Sequence, residues 1–151
     1  MINFVLSIFK NMENYYHGSH ALFDRFDLDH ALEGDGKVKF GYGVYVTSKY
    51  TSAAHYSGAN PNATDHYVYT VEIPERTATN CIAFKEPVHP TIVDAAQDKL
   101  GETIPEKVLL DAGKEFRKYL AMKLTGERKV TLEGEKAATA FLLYIGVELI
   151  E

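Results

Sequence analysis

Three helix-like segments occupy most of the chain after residue 90, and each is followed by a glycine. The first spans about 91–100 and the second about 111–124, while the third begins near Thr131, a residue type that often caps helix N-termini. Glycine is common just past a helix C-terminus because it readily adopts the left-handed conformation found there. The glycines at these positions are Gly101, Gly126 and Gly146.

The first half of the chain instead alternates polar and apolar residues, as β-strands do. Residues 66–73 (HYVYTVEI) form the clearest strand and are followed by Pro74, and residues 14–18 read as a short strand entering a turn. Residues 38–47 (VKFGYGVYVT) read as a strand interrupted by glycine, and residues 48–56 as a short helix. Strands followed by helices predict an α+β fold.

Other segments complete this prediction. Residues 20–33 read as loop and helix, residues 58–65 as a polar loop and residues 81–84 as a short strand. Residues 147–150 (VELI) read as a strand at the end of the chain. Either this strand pairs with an earlier one, or the chain lacks a piece that its relatives have. The apolar run at residues 2–9 is too short to span a bilayer and predicts a buried strand or helix rather than an anchor.

Size and charge narrow the possible partners. A chain of 151 residues predicts a single domain, 1–151, and its net charge of −5 argues against a nucleic-acid partner, which usually leaves a basic footprint. One cysteine, Cys81, cannot form an internal disulfide, so we expect a reducing compartment, the cytoplasm. We expect no metal site, because the histidines lack ligand spacing. Asp24, Asp27 and Asp29 lack the turn glycine and distal glutamate of a calcium loop and predict a solvated face.

Two short motifs carry residue types suited to binding a flat amide-bearing ring. In His17-Gly18-Ser19, the glycine would let a ligand approach the backbone, which offers one donor and one acceptor to a carboxamide. In the second motif, glycines at 41 and 43 precede Tyr45, and Tyr56 follows eleven residues later. Two tyrosines can enclose a heteroaromatic ring. Each motif alone is explained more simply, by a turn after a strand or by core aromatics.

Taken in order, these motifs resemble the H-Y-E branch of the ADP-ribosyltransferases, which includes the poly(ADP-ribose) polymerases and diphtheria-type toxins. The matching segments are YYHGS at 15–19, FGYGVYVTS at 40–48 and TSAAHYS at 51–57. The spacing between the two tyrosines is that of the polymerases, and the resemblance covers roughly the first half of the chain. The second half, with YVYTVEIPE at 67–75, is similar to small phage- and mobile-element-associated members.

The resemblance implies a fold and a set of roles. The fold would be a split, mainly antiparallel sheet with a cleft between the strand of His17 and the strand of Tyr45, and with helices 91–146 to one side. His17 and Tyr45 would be the catalytic residues, with His17 contacting the adenosine-side ribose of NAD. The remaining cofactor-binding residues would hold the nicotinamide carboxamide and ring, and they are Gly18, Ser19, Gly43 and Tyr56. The activity implied is mono-ADP-ribosylation of a protein acceptor with NAD as co-substrate.

The chain departs from this family at the third residue of the motif, a glutamate on a late strand. Glu148 and Glu151 lie on or beside the last strand-like segment, but further strands should follow it, so the sequence predicts missing C-terminal strands. Glu106, Glu115 and Glu135 are predicted to be solvated helix charges. The alternative function is therefore a non-catalytic or truncated relative that binds NAD or a protein partner.

Overall fold

The computed structural model describes residues 12–30, 39–59 and 61–151. The chain divides into two units, of which the first comprises residues 1–37 and 43–75 and the second residues 38–42 and 76–151. The described residues combine α-helices with one small antiparallel and one small parallel sheet, which confirms the predicted α+β class. The apolar run at residues 2–9 lies outside the described residues.

The first unit is built on an antiparallel pair of strands, β1 (Met12–Ser19) and β2 (Tyr67–Pro74). The pairing is continuous, from Met12 opposite Pro74 to Ser19 opposite Tyr67. Helix α1 (Tyr50–Ser57) packs on β1, where the ring of Tyr50 meets that of Tyr16 edge-on at 5.7 Å between ring centroids. Both strands and this helix confirm the predictions for residues 14–18, 66–73 and 48–56.

The predicted strand at residues 38–47 is wrong. Among its described residues only Thr47 pairs, in an isolated antiparallel bridge with Tyr16. Residues 38–42 belong to the second unit and the chain from Gly43 belongs to the first. In addition, Gly41 has a φ of 112°, outside the β region, and the carbonyl of Tyr42 accepts a hydrogen bond from the Thr139 hydroxyl.

Residues 20–33 are predicted to contain loop and helix. Within the described residues 20–30, the helical part is a single 3-10 turn at Leu28–His30. The Asp27 side chain accepts a hydrogen bond from the backbone N–H of Asp29. Aspartate commonly bonds the backbone two residues on in this way, and the bond favours a turn over a helix.

The second unit contains four helices: α2 (Pro90–Leu100), α3 (Glu106–Leu109), α4 (Gly113–Thr125) and α5 (Leu132–Tyr144). The three predicted helices are confirmed, and α3 is an addition. Thr131 caps α5 by accepting a hydrogen bond from the N–H of Gly134, as predicted. The glycines that follow α2, α4 and α5 have φ values of 70°, 72° and 88°.

The core of the second unit is centred on Phe116, Leu120 and Ile82, which are fully buried. Ile82 belongs to β3 (Cys81–Ile82), which pairs in parallel with β4 (Leu149–Ile150). The last strand therefore pairs with an earlier one, the first of the two alternatives that the sequence left open.

Glu135 corrects the prediction that it is a solvated charge. Its side chain is buried in the interface of α4 and α5, where it accepts a hydrogen bond from the buried guanidinium of Arg117. The side chain of Arg117 also lies beside Gly41, where an added Cβ would be 3.1 Å from the Arg117 Cδ. The other two carboxylates agree with the prediction, since Glu106 is exposed and Glu115 forms a partly exposed ion pair with Lys118.

No helix in the described ranges is long and apolar enough to cross a membrane.

Candidate functional site

Three of the sequence-predicted residues, His17, Gly18 and Tyr45, come together at the edge of β1 that faces away from β2. Tyr16 exchanges two backbone hydrogen bonds with Thr47 across this edge, of 2.8 and 2.9 Å. Because the N–H and C=O groups of successive strand residues point to opposite edges, those of Gly18 point to the same edge as those of Tyr16. Extending the antiparallel register by two residues places Gly18 opposite Tyr45.

Gly18 and Tyr45 do not continue this pairing. No backbone hydrogen bond joins them in the described part of the chain. Instead, the Nδ1 atom of His17 lies 2.7 Å from the Tyr45 carbonyl oxygen, which would otherwise accept from the Gly18 N–H. The His17 side chain thus takes the Tyr45 carbonyl as its partner. The backbone N–H and C=O of Gly18 remain directed at this edge of β1.

The bond to Tyr45 fixes the proton positions on the imidazole of His17. A carbonyl oxygen can only accept, so Nδ1 must carry the hydrogen. In the neutral ring, Nε2 is then an acceptor, the state that suits a ligand hydroxyl.

Gly18 also has a packing role that the sequence did not reveal. A Cβ at this position would lie 1.8 Å from the carbonyl oxygen of Ala53 and 2.8 Å from the backbone nitrogen of Ser57. Helix α1 can therefore approach β1 only because residue 18 has no side chain.

Gly43 differs from Gly18 and Gly41, the other glycines of the two motifs. A Cβ there would meet no atom within 4 Å, and its φ is not positive. Neither packing nor backbone conformation in the described residues requires glycine at this position, two residues before Tyr45.

Tyr45 and Tyr56 are not core residues. Their exposed fractions are 38% and 68%, which contradicts the simpler interpretation that both tyrosines fill the core. Tyr56 lies in the last turn of α1, next to Ser57, whose backbone lies against Gly18. Among the described residues no direct ring contact joins Tyr45 and Tyr56.

Ser19 is committed to the turn after β1. Its hydroxyl accepts a hydrogen bond of 3.0 Å from the N–H of Ala21. The predicted contact of this hydroxyl with a ligand would have to coexist with that bond.

Three aromatic residues around His17 were missed by the sequence interpretation. The rings of Phe23, Phe26 and Tyr69 lie 6.2, 5.2 and 6.4 Å from the imidazole, between ring centroids. Tyr69 lies directly opposite His17 in the strand pair. The alternation of residues 66–73 placed Tyr69 on a strand, but no pattern indicated that β2 pairs with β1 in this register.

The carboxylates at the C-terminus belong to the second unit. Glu151 forms an ion pair with Arg76, and its backbone N–H donates to the carbonyl of Ile82. Burial, and secondarily the charge of Glu151, raise the pKa of the nearby Cys81 thiol, while Arg76 opposes the effect. A raised pKa lowers the fraction of the thiol that is ionised at neutral pH.

Compared with known proteins, the chain matches no protein-family model, no curated protein and no solved structure.

Proposed function

We propose that this protein is a mono-ADP-ribosyltransferase that uses NAD, transfers ADP-ribose to a protein acceptor and releases nicotinamide. One observation carries the proposal: the backbone donor and acceptor of Gly18 point to an edge that also holds His17 and Tyr45. The proposed fold is the split, mainly antiparallel sheet of that superfamily, with the cleft at this edge of β1.

The nicotinamide carboxamide would bind Gly18. Its oxygen would accept from the Gly18 N–H, and its amide nitrogen would donate to the Gly18 carbonyl. The exposed rings of Tyr45 and Tyr56 would contact the pyridine ring, and such contacts between aromatic rings contribute ~0.5–1.5 kcal/mol beyond burial of area. Gly43 supports this placement, because the open space beside it would let the ligand lie close to the backbone.

His17 would act on the ribose. Its Nε2 would accept a hydrogen bond from a ribose hydroxyl while Nδ1 remains bonded to Tyr45. This orientation would hold the bond between nicotinamide and ribose in place for cleavage. Nicotinamide would leave with the bonding electron pair, the ribose would pass through an oxocarbenium-like state, and the acceptor nucleophile would bond to its anomeric carbon and lose a proton.

Incubation with NAD labelled in the ADP-ribose part tests this reaction. We expect label on a protein acceptor, or on the chain itself, together with an equal amount of free nicotinamide. His17→Ala should reduce both by about 100-fold, the scale for a residue that positions the reacting group. A folded wild-type sample that yields neither product with a broad set of acceptors would contradict the proposal.

The alternative is a module that binds NAD without catalysis. It is favoured by Glu151, whose carboxylate is engaged in an ion pair with Arg76. Calorimetry separates the two functions: a binding module would bind NAD without releasing nicotinamide over hours.

Truncation of Tyr56 tests the ring contact separately from the chemistry. We expect Tyr56→Ala to weaken nicotinamide binding by ~1–3 kcal/mol, the scale for losing a buried aromatic contact, with little effect on stability because the ring is 68% exposed in the unliganded protein. The measurement is calorimetry or ligand-observed NMR.

The matched control for this variant is Tyr144→Ala, which removes a tyrosine of similar exposure from the end of α5 and should leave binding unchanged. Equal affinity of Tyr56→Ala and wild type would remove Tyr56 from the site.

A further inference from the structure

His17 lies in an aromatic cluster whose other members are Phe23, Phe26 and Tyr69. Phe26 meets the imidazole edge-on, with an interplanar angle of 88°, and Phe23 stacks on Tyr69 with 4.2 Å between centroids and an angle of 15°. Phe23 and Phe26 also meet at 5.1 Å. The imidazole is therefore enclosed on one side by rings that contact one another.

The hydroxyl of Tyr69 joins this cluster to the backbone that follows β1. It accepts a hydrogen bond from the N–H of Phe23 and donates one to the carbonyl of Ala21, both of 2.8 Å. A single oxygen thus bonds the peptide groups on both sides of Leu22. These two bonds hold the chain from Ala21 to Phe23, the segment from which Phe23 and then Phe26 reach the imidazole.

We propose that Tyr69 is a positioning residue, whose hydroxyl holds the segment 21–26 so that Phe23 and Phe26 keep the imidazole of His17 bonded to the Tyr45 carbonyl. The consequence of this positioning, that Nε2 of His17 is directed at the ribose of NAD, rests on the proposed function. Tyr69 acts through the ring of His17 and does not itself contact NAD.

Replacing Tyr69 with phenylalanine tests this proposal, because the variant keeps the stacked ring and loses only the hydroxyl. The first measurement is the ¹⁵N spectrum of the His17 ring in the protein without ligand. At a pH at which the ring is neutral, we expect the wild type to show the signature of the tautomer that carries its hydrogen on Nδ1. In Tyr69→Phe we expect a mixture of the two tautomers, since the ring is no longer held against the Tyr45 carbonyl.

Tyr67→Phe is the matched control. Tyr67 lies two residues earlier on the same face of β2, and its hydroxyl forms no hydrogen bond within the described ranges. This variant should leave the His17 ring signals and the affinity for NAD as in wild type. Tyr69→Phe should bind NAD about tenfold more weakly, from the loss of two hydrogen bonds that order the segment.

A second variant, Phe26→Leu, keeps the proposal testable if Tyr69→Phe does not fold. Phe26 is 39% exposed and is not a core residue. It should shift the His17 signals in the same direction. Unchanged His17 signals in both Tyr69→Phe and Phe26→Leu would overturn the proposal. If these signals shift while wild type binds neither NAD nor nicotinamide, the positioning role stands and the proposed function fails.

Discussion

Gly18→Ala is expected to lower the free energy of unfolding by about 3 kcal/mol, the upper range for overpacking a tightly packed site. The reason is that the added Cβ would overlap the carbonyl of Ala53, 1.8 Å away, and this atom belongs to the helix backbone and cannot rotate aside. Helix α1 would have to move off β1, carrying Tyr56 with it. Denaturant unfolding followed by circular dichroism measures the loss.

Gly43→Ala is the control for this prediction, because an added Cβ there would meet no atom of the described residues within 4 Å. We expect its stability to stay within about 0.5 kcal/mol of wild type, as for surface substitutions in general. A Gly18→Ala variant as stable as Gly43→Ala would show that α1 does not pack against β1 as closely as described.

Glu135→Ala is expected to destabilise the protein by about 3–5 kcal/mol, because it leaves the buried guanidinium of Arg117 without its carboxylate. Removal of one partner of a buried pair costs more than the pair contributes, since the remaining charge stays out of water. Thermal and denaturant unfolding would both report the change.

Glu115→Ala serves as the control, since Glu115 pairs with Lys118 on the same helix but both side chains are partly exposed. Its expected effect is about 0–1 kcal/mol. A double variant, Arg117→Met with Glu135→Leu, should recover much of the stability lost in Glu135→Ala, because apolar side chains can replace a buried ion pair. Equal effects of Glu135→Ala and Glu115→Ala would contradict the assigned burial.

The helices of the second unit were predictable because their signals are local. Thr131 caps α5 through its own side chain, and Gly101 and Gly126 end α2 and α4 through their own backbone conformation. The burial of Glu135 was not predictable, since it depends on Arg117, which is 18 residues away on another helix. A charged residue near a helix N-terminus has the same sequence signature whether it faces water or a partner.

The candidate site was predictable in its residue types and only partly in its geometry. His17, Gly18 and Tyr45 do come together, as the resemblance implied, although each motif alone allowed a simpler explanation. The role of Tyr69 could not be read from the sequence, because it follows from the register between β1 and β2, and that register is set by pairing across about 50 residues. The prediction of a strand at residues 38–47 failed for a similar reason, since Gly41 lies beside Arg117 of α4 and the Tyr42 carbonyl accepts a hydrogen bond from Thr139 of α5.

The failure of that strand to form has a consequence for what the site can select. Had residues 45–47 paired fully with β1, the N–H and C=O of Gly18 would have formed hydrogen bonds within the sheet. The pairing stops after one bridge, so under the proposed binding mode the amide of the ligand takes the place of the next residue of a strand. A strand residue must both donate and accept, and a primary amide does both. Nicotinic acid has an ionised carboxylate with no hydrogen to donate. Its oxygen would face the Gly18 carbonyl oxygen, and the repulsion between these two acceptors would exclude it from the site.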